Sequence, residues 1–116
     1  MIRMSGAESI GICSKIFYPF DKKISLTDQK GYTIVYGEIK SGEEVIDDVL
    51  VSIFRAPHSY TGENAVEISC HASQYIQQKI LELLIRNGAL AAMPGEFTRR
   101  AFVRGKLDLS QAEAVA

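Results

Sequence analysis

The feature that most constrains this sequence is a pair of strand-like segments joined by a very short connection. Tyr32 to Lys40 and Ile46 to Arg55 are rich in β-branched and aromatic residues. The linking residues Ser41 to Glu44 include a glycine and are typical of a hairpin turn. The pattern therefore predicts two adjacent strands.

A third strand and a helix follow the hairpin. Ala65 to His71 alternates so that Val66, Ile68 and Cys70 share one face, while Glu67 and Ser69 point to the other. Ser73 to Asn87 has helical spacing, and Gly88 is a typical stop. Ala89 to Met93 can form a short strand that returns beside its predecessor.

Both ends of the chain show helical signals. Ser5 and Glu8 have capping-box spacing and predict a helix from Ser5 to Phe17, which Pro19 ends. Met1 to Met4 has the pattern of a strand that leads into this helix. Pro94 and Gly95 precede another helical stretch, Phe97 to Val103, and Ser110 with Glu113 predicts the start of a further helix.

These elements predict an α+β fold with a mixed, largely antiparallel sheet and helices packed mainly on one face. Residues 1–109 would form one domain that lacks its first strand, and residues 110–116 would begin a following helical region. The sequence is thus expected to be a piece of a longer protein. A sheet edge left open by the missing strand should pair with a second copy or be covered by a neighbour.

Charge and composition exclude several functions. A formal net charge of -1 over 116 residues gives no basic footprint, so RNA binding by this piece alone should be weak. The chain has no G-x-x-x-x-G-K-[ST] loop, so we expect no GTP hydrolysis from it. It has no apolar run of the roughly 20 residues that a membrane span needs, and no signal peptide, so a cytoplasmic location is expected.

The histidines and cysteines do not form a metal-binding pattern. His58 and His71 have no third ligand at metal spacing, so His71 is expected to be a hydrogen-bonded residue at a strand end and His58 a loop residue. Cys70 is expected to be a small core residue. The prediction for metal sites is therefore none.

Three charged residues are candidates for ligand binding. A carboxylate in mid-strand, as at Glu67, is costly unless something satisfies it. An ion pair or an edge-strand position would do so; so would a flat heterocycle that donates two parallel hydrogen bonds from an amino group and a ring N–H. Lys106, set apart by Gly105 and bracketed by leucines, and Arg3, before the first helix, could each bind an anionic ligand group.

Three long strings resemble those of the TrmE/MnmE family. Residues 55–71, RAPHSYTGENAVEISCH, resemble its SYTGED-x-x-E-x-x-CHG motif. Residues 94–102, PGEFTRRAF, and 105–114, GKLDLSQAEA, are similar to PGEFTxRAFxNGKxDLxQAEA, and residues 2–6, IRMSG, are similar to IRVSG. The departures include Ala72 for a usual glycine and Asn64 for a usual aspartate.

The resemblance implies a folate-binding and dimerising domain similar to that of glycine-cleavage T-proteins. It implies that Arg3, Glu67 and Lys106 contact 5-formyl-tetrahydrofolate. The parent protein would be a GTPase, with GTP, Mg and K bound in a G domain absent here. With a GidA/MnmG-type flavoprotein it would modify the wobble uridine of tRNA. The alternative is a pure dimerisation and assembly module without a ligand.

Overall fold

A computed structural model describes residues 1–92 and the backbone of residues 111–114. In chain order the strands are β1 to β7 and the α-helices α1 and α2, with a short 3-10 helix before β3: β1 Ile2–Ser5, α1 Ser9–Ser14, β2 Phe17–Pro19, the 3-10 helix Leu26–Asp28, β3 Thr33–Ser41, β4 Glu44–Phe54, β5 Ala65–Ser69, α2 Gln74–Arg86, β6 Leu90–Ala91 and β7 Gln111–Ala114.

The seven strands of the described residues form one sheet with the order β2-β3-β4-β5-β1-β7-β6. Every neighbouring pair is antiparallel except β6 and β7, which are parallel. The predicted α+β class, with a mixed and largely antiparallel sheet, is therefore confirmed. The helices found in residues 1–92 and 111–114 are too short or too polar to traverse a bilayer.

The core lies between the two α-helices and one face of the sheet, which we call the inner face. Val66 and Ile68 of β5 point into it and are fully buried, as predicted, and Ile80 and Leu84 of α2 pack against it. Burial of this apolar surface is the main force that holds helices and sheet together. The opposite face, which we call the open face, carries Glu67.

Helix α2 follows the sequence prediction closely. It covers Gln74–Arg86, and the Ser73 hydroxyl accepts a hydrogen bond from the Ile76 amide. Gly88 has a positive φ of 117°, a conformation that favours glycine, and it ends the helix as expected. The start and the end of this helix are thus each determined by a residue next to it, the capping serine and the terminating glycine.

The first helix is shorter than predicted. The capping-box assignment for Ser5 and Glu8 is wrong, because Ser5 is the last residue of β1 and Glu8 makes no side-chain capping bond. Phe17, predicted as the last helical residue, instead begins β2. Pairing of both flanking segments with the sheet leaves only Ser9–Ser14 helical, so tertiary contacts override the local pattern.

Two further expectations need correction. Strand β6 does not return beside β5, since β1 and β7 lie between them. The helix predicted to start at Ser110 is not formed over Gln111–Ala114, which pairs as β7 with β1. β1 is thus paired on both sides within the same chain, with β5 and with β7, and its backbone hydrogen-bonding groups explain why strand pairing replaces the local helical preference. The predicted helix Phe97 to Val103 lies outside the described residues.

A candidate ligand pocket on the open face

Arg3 and Glu67 form the centre of the candidate site. They lie directly opposite each other in the β1–β5 register, and the Arg3 Nε donates to Glu67 Oε2 at 3.0 Å. Each side chain is 26% exposed. β5 lies between β4 and β1, so the edge-strand explanation for Glu67 is wrong. The ion-pair explanation is observed, and it offsets the cost of partly burying the carboxylate.

A pocket of about 110 Å³ opens beside this ion pair. Its walls include the aromatic rings of Phe54 and Tyr60, and the Arg3 guanidinium carbon lies 5.9 Å from the Tyr60 ring centroid. The remaining lining residues are Ser5, Ser59, Thr61 and Ala65. Aromatic walls beside a carboxylate suit a flat ring that also carries N–H donors.

Buried hydrogen bonds fix the loop that carries Tyr60. Thr61 and Glu63 are almost completely buried on either side of Gly62. The Ser5 hydroxyl is hydrogen-bonded to the Thr61 hydroxyl and donates to Glu63 Oε1 at 3.1 Å. A fully satisfied buried network of this kind rigidifies its surroundings. Tyr60, which is 61% exposed, is therefore held beside the pocket by a loop whose position these buried hydrogen bonds fix.

Sequence reasoning found part of this site. Arg3 and Glu67 are brought together in one site. Arg3 was predicted to bind an anionic ligand group, and in the structure it donates a hydrogen bond to Glu67. Lys106 lies outside the described residues, so its position relative to the pair stays a prediction. Phe54 and Tyr60 were missed as pocket residues. Strand alternation could have indicated Phe54, because it places Phe54 on the same face as Leu50. In the structure Phe54 lies opposite Ala65 in the β4–β5 register.

His71 is hydrogen-bonded at the end of β5, as predicted. Its amide donates to Asp47 Oδ2 at 2.8 Å, and its Nδ1 lies 2.6 Å from Asp47 Oδ1. His58 lies in a loop, also as predicted. Within the described part of the chain, no three His, Cys, Asp or Glu side chains are arranged to hold a metal ion.

The two cysteines are free thiols in different environments. Complete burial raises the pKa of the Cys13 thiol to about 12. Cys70 is partly buried against the core, and desolvation raises the pKa of its thiol as well. A raised pKa leaves little thiolate at neutral pH, so neither cysteine is set up as a nucleophile.

Comparison with known proteins gives a consistent result. The profile of a family described as "GTP-binding protein TrmE N-terminus" matches residues 1–106. A "tRNA modification GTPase MnmE" from Bacteroides thetaiotaomicron is 61% identical over 115 residues, which is 99% of this chain and 25% of that protein. Proteins of the same name from Parabacteroides distasonis and Porphyromonas gingivalis are 56% and 50% identical over the whole chain, which covers 25% and 24% of their lengths.

The chain thus spans about a quarter of the length of these relatives. Since the family profile covers nearly the whole chain and the identities are high, this chain belongs to the family of TrmE N-terminal domains.

Proposed function

We propose that this chain is the folate-binding and dimerising domain of a GTPase that modifies the wobble uridine of tRNA together with a GidA/MnmG-type flavoprotein. The observation that carries the proposal is the Arg3–Glu67 pair beside an aromatic-walled pocket, in a member of this family. GTP hydrolysis, with its Mg and K, would belong to the rest of the protein, which operates in the cytoplasm.

The chemistry of Glu67 suits the ring end of a reduced folate. A carboxylate accepts hydrogen bonds through about four lone-pair sites, and the Arg3 Nε uses one of them. The others can accept from the amino group and the adjacent ring N–H of a pterin. Arg3 fixes the orientation of the carboxylate, and Phe54 and Tyr60 contact the faces or edges of the ring.

The size of the pocket limits how much of the ligand it encloses. About 110 Å³ is well below the roughly 300–1,000 Å³ of pockets that bury a drug-sized ligand. The ring end would therefore enter the pocket, while the remainder would extend along the surface. Lys106 would bind an anionic group of that remainder. When bound, a reduced folate would supply the one-carbon unit for the tRNA modification.

Dimerisation is best supported by a patch on the β3–β4 part of the open face, defined by Tyr32, Ile34 and Leu50. These side chains are 73%, 63% and 44% exposed. With the β1 edge paired to β7, this apolar face is the surface we propose for contact with a second copy. The pure assembly module is the second candidate, because this patch would serve it equally well.

Calorimetric titration with 5-formyl-tetrahydrofolate tests the ligand assignment. We expect Glu67→Gln to weaken binding by roughly 10- to 150-fold, because a hydrogen bond to a charged group contributes about 1.5–3 kcal/mol and the amide supplies one acceptor where two are needed. Glu82→Gln makes the same chemical change on an exposed position of α2 and should leave affinity unchanged.

Two results separate the candidates. Equal affinity of Glu67→Gln and the unchanged protein would show that Glu67 has only a structural role in its ion pair. A dimer in sedimentation without any heat of folate binding would favour the pure assembly module.

A further inference from the structure

A second group of exposed side chains lies at the far edge of the open face. β2 is an edge strand of the sheet; Tyr18 on this strand and Phe20, the residue directly after it, are 46% and 47% exposed. Together with Lys22 and Lys40 they line a surface cavity of about 400 Å³, whose other lining residues are Pro19, Ile24 and Glu38. We call these four residues the β2-edge site.

Aromatic rings and ammonium groups are interleaved there. The Lys40 Nζ lies 5.1 Å from the Tyr18 ring centroid, a cation–π distance. Phe20 packs on Tyr36 with ring centroids 4.7 Å apart. The nearest carboxylate, Glu38, is 3.9 Å from Lys40, so it is a weak competitor for an ammonium group with three donors.

Hydrogen bonds hold the backbone around this site in place before any ligand binds. The Phe20 amide donates to Tyr36 O at 3.1 Å, and the Lys40 amide donates to Ile16 O at 3.0 Å. Gly37 permits the close approach of β2, since a Cβ there would clash with the Tyr18 carbonyl oxygen. Pre-positioned rings lose little conformational entropy when a ligand binds.

Charge distinguishes this region from the rest of the chain. The residues that line the cavity carry two ammonium groups, those of Lys22 and Lys40, and one carboxylate, that of Glu38, a local charge of +1, while the whole chain carries -1. Local positive charge next to exposed aromatic rings is the combination that binds single-stranded nucleic acid through phosphates and stacked bases. A purely apolar partner would not explain the flanking lysines.

We propose that the β2-edge site binds a single-stranded nucleotide segment of RNA. A base stacks on Tyr18 or Phe20, and the adjoining phosphates contact Lys22 and Lys40. The inference rests on the proposed function, because it takes the tRNA substrate as the source of the RNA. It adds a contact that this domain would make with that substrate independently of the folate pocket.

The test is an NMR titration of the ¹⁵N-labelled 116-residue chain with an unmodified tRNA anticodon stem-loop. We expect shift changes in residues 17–24 and 36–40 but not in α2, with a dissociation constant on the order of 10⁻⁴ M. Tyr18→Ala should weaken binding about ten-fold and Tyr18→Phe should retain it. Lys22→Glu with Lys40→Glu should reduce the salt dependence by about 1.4 in slope.

Lys79→Glu, on α2 and therefore on the other side of the sheet, is the control for the effect of one charge reversal elsewhere and should bind RNA like the unchanged chain. Undiminished binding by the double lysine variant, or shifts that map elsewhere, would overturn the proposal. So would equal shifts with inorganic polyphosphate, which has charge but no bases, or shifts that change with protein concentration alone.

Folate titration of the same samples separates the two proposals. Folate binding without RNA binding would remove only the β2-edge site. RNA binding at β2 without folate binding would contradict the folate assignment instead.

Discussion

The inner and open faces of this sheet are built from neighbouring residues of the same strands, yet they differ in exposure. On β4, Val51 is fully buried and the adjacent Leu50 is 44% exposed; on β3, Val35 is 3% and Ile34 63% exposed. Apolar residues on the inner face hold the helices. Those on the open face contribute little to the packing of this chain, which leaves them available for contacts with other molecules.

The largest expected difference between the faces comes from truncating one side chain on each. Ile68→Ala removes a fully buried side chain and should lower the free energy of unfolding by about 2–5 kcal/mol. Ser69→Ala, at the next position and exposed, should change it by less than about 0.5 kcal/mol. Urea denaturation measures both, and similar losses would contradict the division between the faces.

A smaller effect is expected where the sheet tolerates no additional atom. At Gly37 a Cβ would lie 2.7 Å from Phe17 Cζ as well as against the backbone of β2. Gly37→Ala should destabilise the fold by about 1–3 kcal/mol through overpacking. Gly11→Ala in α1, where a Cβ meets nothing within 4 Å, should leave the stability unchanged or raise it. The melting temperatures of both variants measure the difference. A neutral Gly37→Ala would mean that β2 packs loosely.

The smallest effect is a pH dependence due to Cys13 on the inner side. Burial raises the pKa of this thiol from 9.0 to about 12 in the folded state, because the thiolate is disfavoured there. Its contribution to stability is therefore complete below pH 9 and is lost as the pH rises toward 12. At pH 10 the loss should be on the order of 1 kcal/mol.

Cys13→Ala isolates this contribution, since other groups also titrate at high pH. The difference in unfolding free energy between the unchanged chain and Cys13→Ala should be constant from pH 7 to 8.5 and decrease above it. A difference that stays constant up to pH 10.5 would show that the thiol is accessible to solvent.

Strands and helices with a strong local pattern could be predicted, and those determined by distant pairing could not. The alternation around Glu67 and the helix stop at Gly88 were correct because each depends on a few adjacent residues. The boundaries at Ser5 and Phe17 were wrong because both residues pair with strands far along the chain, Ser5 with Ala65 and Phe17 with Ile39. β7 was missed for the same reason.

The candidate site shows the same limit. Glu67 could be singled out from its unusual place in a strand, but its ion pair with Arg3 depends on a register between residues 64 apart. The role of Ser5 in the buried network with Thr61 and Glu63 was hidden by its resemblance to a helix cap. The sequence indicated which residues carry unusual side chains for their positions, but only the fold shows which residues they contact.

The position of β1 between β5 and β7 has a consequence for the order of folding. β3 and β4 are joined by a short turn and can pair soon after they are synthesised, whereas β1 must wait for β5, some 60 residues later. At synthesis rates of about 5–20 residues per second, the first strand remains unpaired for seconds. The Arg3–Glu67 pair therefore forms late, and this pocket should be sensitive to slow or interrupted folding.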